Sequence, residues 1–141
     1  MRNSEVTVVN VSTVAELEVA AEASPYQLVT GEGALGILSK ITEPQAEACL
    51  RNCTYAHSFG SDAKDVENLL DEISVSLEFY NDDRFFPTVS GLTYDELIWI
   101  IISQSYETPR LLALSAKDDF HLEVRSWFER AEAELTEQAA E

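Results

Sequence analysis

The chain has 141 residues, and its 26 acidic residues against 9 lysines and arginines give a formal net charge of -17. The length suits one domain, residues 1–141, and an apolar content of 45% places the acidic excess on a foldable chain. A folded body with this charge repels nucleic acid and anionic membranes and is attracted to basic surfaces. We therefore expect no nucleic-acid or membrane binding, and a basic, nucleic-acid-binding protein or complex as partner.

The N-terminus lacks the basic and apolar segments of a secretion signal, and the apolar run at residues 97–102 is too short to span a bilayer. We therefore expect a soluble protein of the cytoplasm, or of the host cytoplasm if a phage encodes it. In that compartment, Cys49 and Cys53 are expected as free thiols.

Residues 1–41 carry short patterns that predict a less regular N-terminal part. Valines at 5–11 indicate a short strand, and residues 12–22 have helical spacing. Residues 26–30 predict a second strand. Three glycines then precede a short apolar piece at 35–41.

Residues 42–138 read as a helical body. Thr42 and Gln45 form a capping box that begins a helix predicted to reach His57. The next helix, residues 62–80, has the most regular apolar spacing of the chain, and residues 81–91 are polar enough to be a loop.

The apolar run at 97–102 follows a second capping box, formed by Thr93 and Glu96. The box predicts a helix at 93–106, although the isoleucines of the run favour a strand. Thr108 and Pro109 indicate a short helix to residue 116, and a last helix is predicted for residues 118–138.

These elements predict a mainly α fold, a single domain of five or six helices around a buried central helix at residues 93–106. One or two short strands near the N-terminus complete the prediction. The alternative is an α+β fold in which the apolar run is a strand.

Residues 31–36 match the glycine spacing of dinucleotide-binding loops, with glycines at 31, 33 and 36. The carboxylate of Glu32 would face a pyrophosphate and repel it, and Pro44 falls where the phosphate-binding helix should continue. We interpret the segment as a glycine turn and expect no cofactor.

Cys49, Cys53 and His57 would share one face of the predicted helix 42–57 and could bind a metal, with His121 as a distant fourth ligand. That face is apolar, and cysteine is often a buried small hydrophobe, so we expect no metal site. No motif for nucleophilic catalysis occurs around either histidine, and we expect no enzyme activity.

The acidic residues of the predicted helix 62–80 give the remaining functional indication. Glu67, Asp71 and Glu78 form a stripe about 16 Å long at 1.5 Å per residue, and Val75 and Phe79 are expected on its solvent side. The following loop adds Asp82, Asp83, Phe85 and Phe86. These nine residues are the predicted partner-binding surface, with simple solvation of the helix as the alternative.

In charge, size and expected helicity the chain resembles small acidic proteins that occupy nucleic-acid-binding clefts, such as phage-encoded DNA mimics and inhibitors of restriction or CRISPR complexes. The likeness implies a non-enzymatic inhibitor whose carboxylates replace phosphates in a basic cleft. The alternative is an assembly chaperone, or an immunity or antitoxin protein, that masks a partner. A homodimer is compatible with either function.

Overall fold

The fold is a parallel β-sheet covered by helices on both faces. The computed structural model describes residues 6–22, 24–79, 86–91 and 93–140. The strands are β1 (Thr7–Val11), β2 (Tyr26–Thr30), β3 (Cys53–Ser58), β4 (Thr88–Val89) and β5 (Arg110–Leu114). The helices are α1 (Val14–Ala21), α2 (Ala34–Leu38), α3 (Glu43–Leu50), α4 (Ala63–Ser76), α5 (Tyr94–Gln104) and α6 (Phe120–Ala140). The strand order is β1-β5-β2-β3-β4, and every pairing is parallel.

The prediction of a mainly α fold is therefore wrong, because a five-stranded parallel sheet alternates with the helices. Strands β3, β4 and β5 lie in the part that was predicted to be a helical body. The α+β alternative is also wrong, since it made a strand of residues 97–102, which lie in helix α5. The protein belongs to the α/β class.

The helices form one layer on each side of the sheet. Helices α1 to α4 cover one face, and α5 and α6 cover the other. On the first face the buried leucines of the helices are Leu17, Leu38, Leu50 and Leu70. On the second face the largest buried side chains include Ile101 and Trp127. The connections from β1 to β4 run over the first face, and α5 returns the chain over the second to β5.

Strand β5 occupies the position where a helix was predicted from Thr108 and Pro109. Its residues Leu111 to Leu114 are fully buried, because β5 lies between β1 and β2 and is covered on both faces. A strand buried on both faces shows a continuous apolar run without alternation. This run consists of leucine and alanine, which favour helices, so local propensity gave the wrong structure.

The predicted helix 42–57 ends early, at Leu50. Its start is confirmed, because the Thr42 and Gln45 capping box is formed in both directions. After a turn, the chain enters β3, which pairs with the buried strand β2. The side chains of Cys53 and His57 therefore belong to a strand, and the shared helix face predicted for them with Cys49 does not exist.

Helix α5 confirms the helix predicted from Thr93 and Glu96, and the capping box is again complete. It is not the centre of the molecule, because it covers one face of the sheet and leaves Trp99 47% exposed. Strands β1 and β2 and helices α1, α4 and α6 are also confirmed, with ends shifted by a few residues. Within the described residues, no helix is both long and apolar enough to cross a membrane.

A buried polar chain crosses the second face of the sheet beneath the end of α5. The Gln27 side-chain amide donates to Ser105 Oγ at 2.9 Å and to the Thr108 carbonyl at 2.8 Å. Its oxygen therefore faces His57 Nε2 at 2.8 Å, and Nε2 must carry the proton because an amide oxygen only accepts. Burial lowers the pKa of His57 from 6.5 to about 3. The imidazole is neutral in the folded protein at physiological pH.

We expect His57 to lower the free energy of unfolding in mild acid. Its pKa is lower in the folded than in the unfolded chain, so below pH 6.5 the unfolded chain binds more protons and stability falls. At 1.36 kcal/mol per pKa unit the loss is about 2 kcal/mol from pH 6.5 to pH 5. Urea unfolding at several pH values measures it. His57→Gln keeps a donor for Gln27 and should remove this slope, whereas His121→Gln should retain it. An unchanged slope in His57→Gln would contradict the prediction.

Candidate functional site

The carboxyl edge of the sheet contains two crevices. Strands β5 and β2 are neighbours, but the chain leaves them toward opposite faces of the sheet, and the same holds for β3 and β4. Such switch points open a gap beyond the strand ends, where ligands of open α/β proteins bind. Each crevice here contains a cavity.

The smaller cavity, at the β2 and β5 ends, has a volume of about 220 Å³. The larger cavity, at the β3 and β4 ends, has a volume of about 430 Å³. They adjoin, because Phe59, Gly60 and Tyr94 line both. The other residues around the smaller cavity are Gly31, Glu32, Lys117, Phe120 and Glu123. The loops after the strands and the first turns of α5 and α6 therefore form one continuous site.

Glu32 joins the loop after β2 to the loop after β3. Its Oε1 accepts the Ser61 backbone N–H at 2.8 Å, and its Oε2 accepts the Ser61 hydroxyl at 3.1 Å. These two bonds, the backbone bond most, lower the pKa of Glu32 below its usual value. The side chain is thus a fixed carboxylate beside the cavity.

Aromatic rings support the opposite wall. Phe59 packs against Tyr94 and Trp127, with ring centroids 5.7 and 4.9 Å apart. Trp127 Nε1 donates to the Tyr94 hydroxyl at 2.8 Å, and this hydroxyl donates to Glu123 Oε1 at 2.7 Å. Burial, followed by the bond to Glu123, raises the pKa of Tyr94. Tyr94 therefore stays protonated and orients the Glu123 carboxylate.

The glycine segment 31–36 follows a buried strand and opens a helix, but its glycines serve packing. A Cβ on Gly31 would lie 2.9 Å from the Phe120 ring, and one on Gly33 would lie 2.4 Å from Ala116 Cβ. Gly33 also has a φ of 83°, a backbone angle that residues with a side chain rarely adopt. Nothing lies within 4 Å of a Cβ on Gly36. Two of the glycines thus allow the loop after β2 to touch the loop after β5 and the first residue of α6.

The protein's own carboxylates oppose a phosphate at this segment. The Leu35 backbone N–H donates to Asp62 Oδ2 at 3.3 Å, and Glu32 projects into the cavity. Helix α2 is also only five residues long, so its dipole is small. The residues present do not fit a dinucleotide.

Substitution of the two glycines should have opposite effects. Gly33→Ala is expected to lower the free energy of unfolding by about 2 kcal/mol, because a Cβ is disfavoured at this φ and collides with Ala116. Gly36→Ala lies inside α2 and should be neutral or stabilise by up to about 1 kcal/mol. Urea unfolding of both variants compares them, and equal effects would contradict this packing role.

Two of the three carboxylates of the predicted acidic stripe have a structural role. Asp71 Oδ1 accepts the Thr88 hydroxyl at 2.7 Å, and Glu67 Oε2 accepts the Ser90 hydroxyl. Glu67 also pairs with Lys64 at 3.7 Å. Both carboxylates therefore hold the short edge strand β4 against α4, and they are not free in the way the sequence suggested.

The apolar residues of the predicted surface differ from one another in exposure. Val75 is exposed, but Phe79 is fully buried, and its expected position on the solvent side is wrong. Helix α4 ends at Ser76, and Glu78 turns the chain with a φ of 56°, so Phe79 enters the core.

Phe86 is buried as well, with its ring 6.4 Å from that of Phe79. Glu78 is exposed as expected. Asp82, Asp83 and Phe85 lie outside the described residues. Among the described residues of the predicted surface, Val75 and Glu78 are thus the exposed side chains.

Asp71→Ala should lower the free energy of unfolding by about 1 to 2 kcal/mol, because the partly buried Thr88 hydroxyl loses a charged acceptor. Glu72→Ala, one residue on and exposed, is the matched control and should change it by less than about 0.5 kcal/mol. Denaturant titration measures both. A similar loss in both variants would contradict this role of the bond between Thr88 and Asp71.

Cys49, Cys53 and His57 do not converge on a metal site. Both cysteines are buried free thiols on the first face of the sheet, and burial raises the pKa of each to about 12. His57 bonds to Gln27 on the second face. In the part of the chain that the structure describes, no cluster of three or more histidine, cysteine or acidic residues could hold a metal ion.

Of the residues that line the smaller cavity, the sequence analysis discussed Gly31 and Glu32, and only as part of the glycine segment. Glu32, Tyr94 and Glu123 belong to three separate elements, and only the parallel topology brings them together. The available signal was the position of Glu32 two residues after the end of β2, which is informative once the sheet is known to be parallel.

The fold and the paired cavities define an open α/β protein with a crevice at the carboxyl edge of its sheet. Comparison with protein-family models, with curated proteins and with solved structures gives no match for this chain. Its function therefore has to be argued from its own residues.

Proposed function

We propose that this chain is a non-enzymatic acidic protein that binds a basic surface of a partner protein and blocks it. The observation that carries the proposal is the exposed side of α4. Asp65 and Glu72 are exposed there, about 10 Å apart at 1.5 Å per residue, with Val75 beside them. Neither carboxylate forms an ion pair with a described residue.

The charge of the whole molecule supports the same proposal. The formal net charge is -17, and the ion pairs between described side chains are those of Arg51 with Glu47 and Lys64 with Glu67. No described helix has a basic residue in its last turn, so the negative ends of the helix dipoles add to the acidic field. Such a field accelerates encounter with a basic surface.

The proposed partner is a nucleic-acid-binding protein or complex, whose cleft offers the basic surface that these carboxylates require. The proposal draws on a likeness in charge and size to small acidic phage-encoded inhibitors of restriction or CRISPR complexes. Helicity no longer supports it, because the fold is α/β. The buried free cysteines suit a reducing compartment, so the proposal assigns the complex to the cytoplasm.

A second candidate function is the masking of an apolar partner by a chaperone or immunity protein. One surface supports it. A groove of about 470 Å³ runs between the edge strand β1 and α1. Its lining includes Val9, Val11 and Val19, and Val19 is 74% exposed.

Charge reversal on α4 tests the leading proposal. A variant with Asp65→Lys and Glu72→Lys should lose capture of its partner from a host lysate. The matched control, Glu129→Lys with Glu134→Lys on the exposed side of α6, makes the same charge change on the other face and should retain it. Binding of the recovered partner should weaken at least about tenfold from about 0.05 M to about 0.3 M salt.

Two results would contradict the proposal: affinity that does not depend on salt, or captured proteins without a basic surface. If Val19→Glu abolishes capture and the α4 variant retains it, the masking function is favoured instead.

A further inference from the structure

Strand β1 is an open edge of the sheet. Its inner side pairs with β5, and in the part of the chain that the structure describes no strand pairs with its outer side. The Thr7 N–H and the Val11 carbonyl bond to the residues that flank β5, at 3.0 and 3.2 Å. Because peptide groups alternate in direction along a strand, those of Val8 and Asn10 point away from the sheet.

This edge lacks the features by which proteins protect an exposed strand. Natural edge strands are kept short, or carry charged residues, prolines or bulges that prevent pairing with another chain. The opposite edge, β4, has only two residues. Strand β1 has five, with the sequence TVVNV, and it pairs with β5 without a shift in register. In a chain with 25% charged residues, an uncharged edge of this length favours pairing with a further strand.

The groove between β1 and α1 lies beside this edge, on the first face of the sheet. Val9 and Val11 line it from β1, and Ala15, Val19 and Ala20 line it from α1. The groove has a volume of about 470 Å³, and Val19 is 74% exposed. In a strand added to β1, every second side chain would point to this face. Apolar side chains at alternate positions would therefore lie against these valines.

The charges around the groove specify what flanks those apolar side chains. Glu16 lines the groove, and Glu22 follows Val19 by three residues, on the same side of α1. The two glutamates are about 9 Å apart along the helix at 1.5 Å per residue. Within the described residues, hydroxyls of Ser12 and Thr13 bond to one oxygen of Glu16, and no lysine or arginine lines the groove. Basic side chains at the two ends of the groove would be attracted.

We propose that β1 takes up an extended segment of a partner protein as a sixth strand of the sheet. Alternate side chains of the segment are apolar and lie in the groove, and lysine or arginine residues flank them, next to Glu16 and Glu22. The basic character of the partner rests on the proposed function, whereas the pairing with β1 does not. The two are tested separately, because the α4 variant used for lysate capture leaves β1 unchanged.

The test is a titration of the full chain with the acetylated and amidated peptide KTVTVTK, followed by amide hydrogen exchange. In the free protein the amides of Val8 and Asn10 should exchange faster than those of Val9 and Val11, which bond to β5. Saturating peptide should slow Val8 and Asn10 at least about tenfold, because their N–H groups then donate to the added strand.

A second peptide, KTVVTTK, is the matched control for charge. It has the same composition as KTVTVTK, but its two valines point to opposite faces of a strand, so only one can enter the groove. It should bind at least about tenfold more weakly, since each tenfold step corresponds to about 1.4 kcal/mol and a buried valine contributes about that much.

Variants of the protein separate the backbone bonds from the groove. Asn10→Pro removes one outward N–H, at a position where an edge strand tolerates proline, and should weaken binding of KTVTVTK at least about tenfold. Asn10→Ala keeps this N–H and should bind as the parent does. Val19→Lys should also weaken binding, and Val75→Lys, the same change at an exposed valine of α4, should not. Slow exchange of Val9 and Val11 in each variant checks that β1 still pairs with β5.

The proposal is overturned if the peptide leaves the exchange of Val8 and Asn10 unchanged, or if both peptides bind equally, since charge alone then explains the binding. Equal affinities of Asn10→Pro and Asn10→Ala, or of Val19→Lys and Val75→Lys, would overturn it as well. Slow exchange of Val8 and Asn10 in the free protein that is lost on dilution would assign the edge to a second copy of this chain, which also contradicts it.

Discussion

Strand β5 determines the architecture, because it holds together β1 and β2, the first two strands of the chain. Strands β1 and β2 do not pair with each other; each pairs with β5, which lies between them. Burial of Leu111 to Leu114 on both faces gives this arrangement its hydrophobic stabilisation. The position of β5 also creates the crevice beside β2, since the two strands continue into helices on opposite faces of the sheet.

The accuracy of the sequence predictions followed the range of the interactions involved. The helix starts at Thr42 and Thr93 were predictable, because a capping box is satisfied within four residues. Strands β3 and β5 were not, because their structure comes from partners far away in sequence. In β5 leucines override their own helix preference once both faces are covered, and in β3 apolar residues fit helical and strand spacing equally well.

The candidate site shows the same limit. An excess of acidic residues can be counted in the sequence, but their roles differ in ways that only tertiary structure decides. Asp71 holds β4, Glu32 links two loops, and Glu72 faces solvent. The pattern on α4 was visible from its period, whereas the partners of each carboxylate lie on other elements. Charge alone thus could not distinguish these roles.

The bonds from α4 to β4 support one wall of the larger cavity. Strand β4 has two residues, and Gly91 and Tyr94 just beyond it line that cavity. Asp71 and Glu67 accept the hydroxyls of Thr88 and Ser90 and so hold this edge of the sheet. Binding of a cation to these two carboxylates and release of β4 would then be linked equilibria, in which each changes the other by the same free energy.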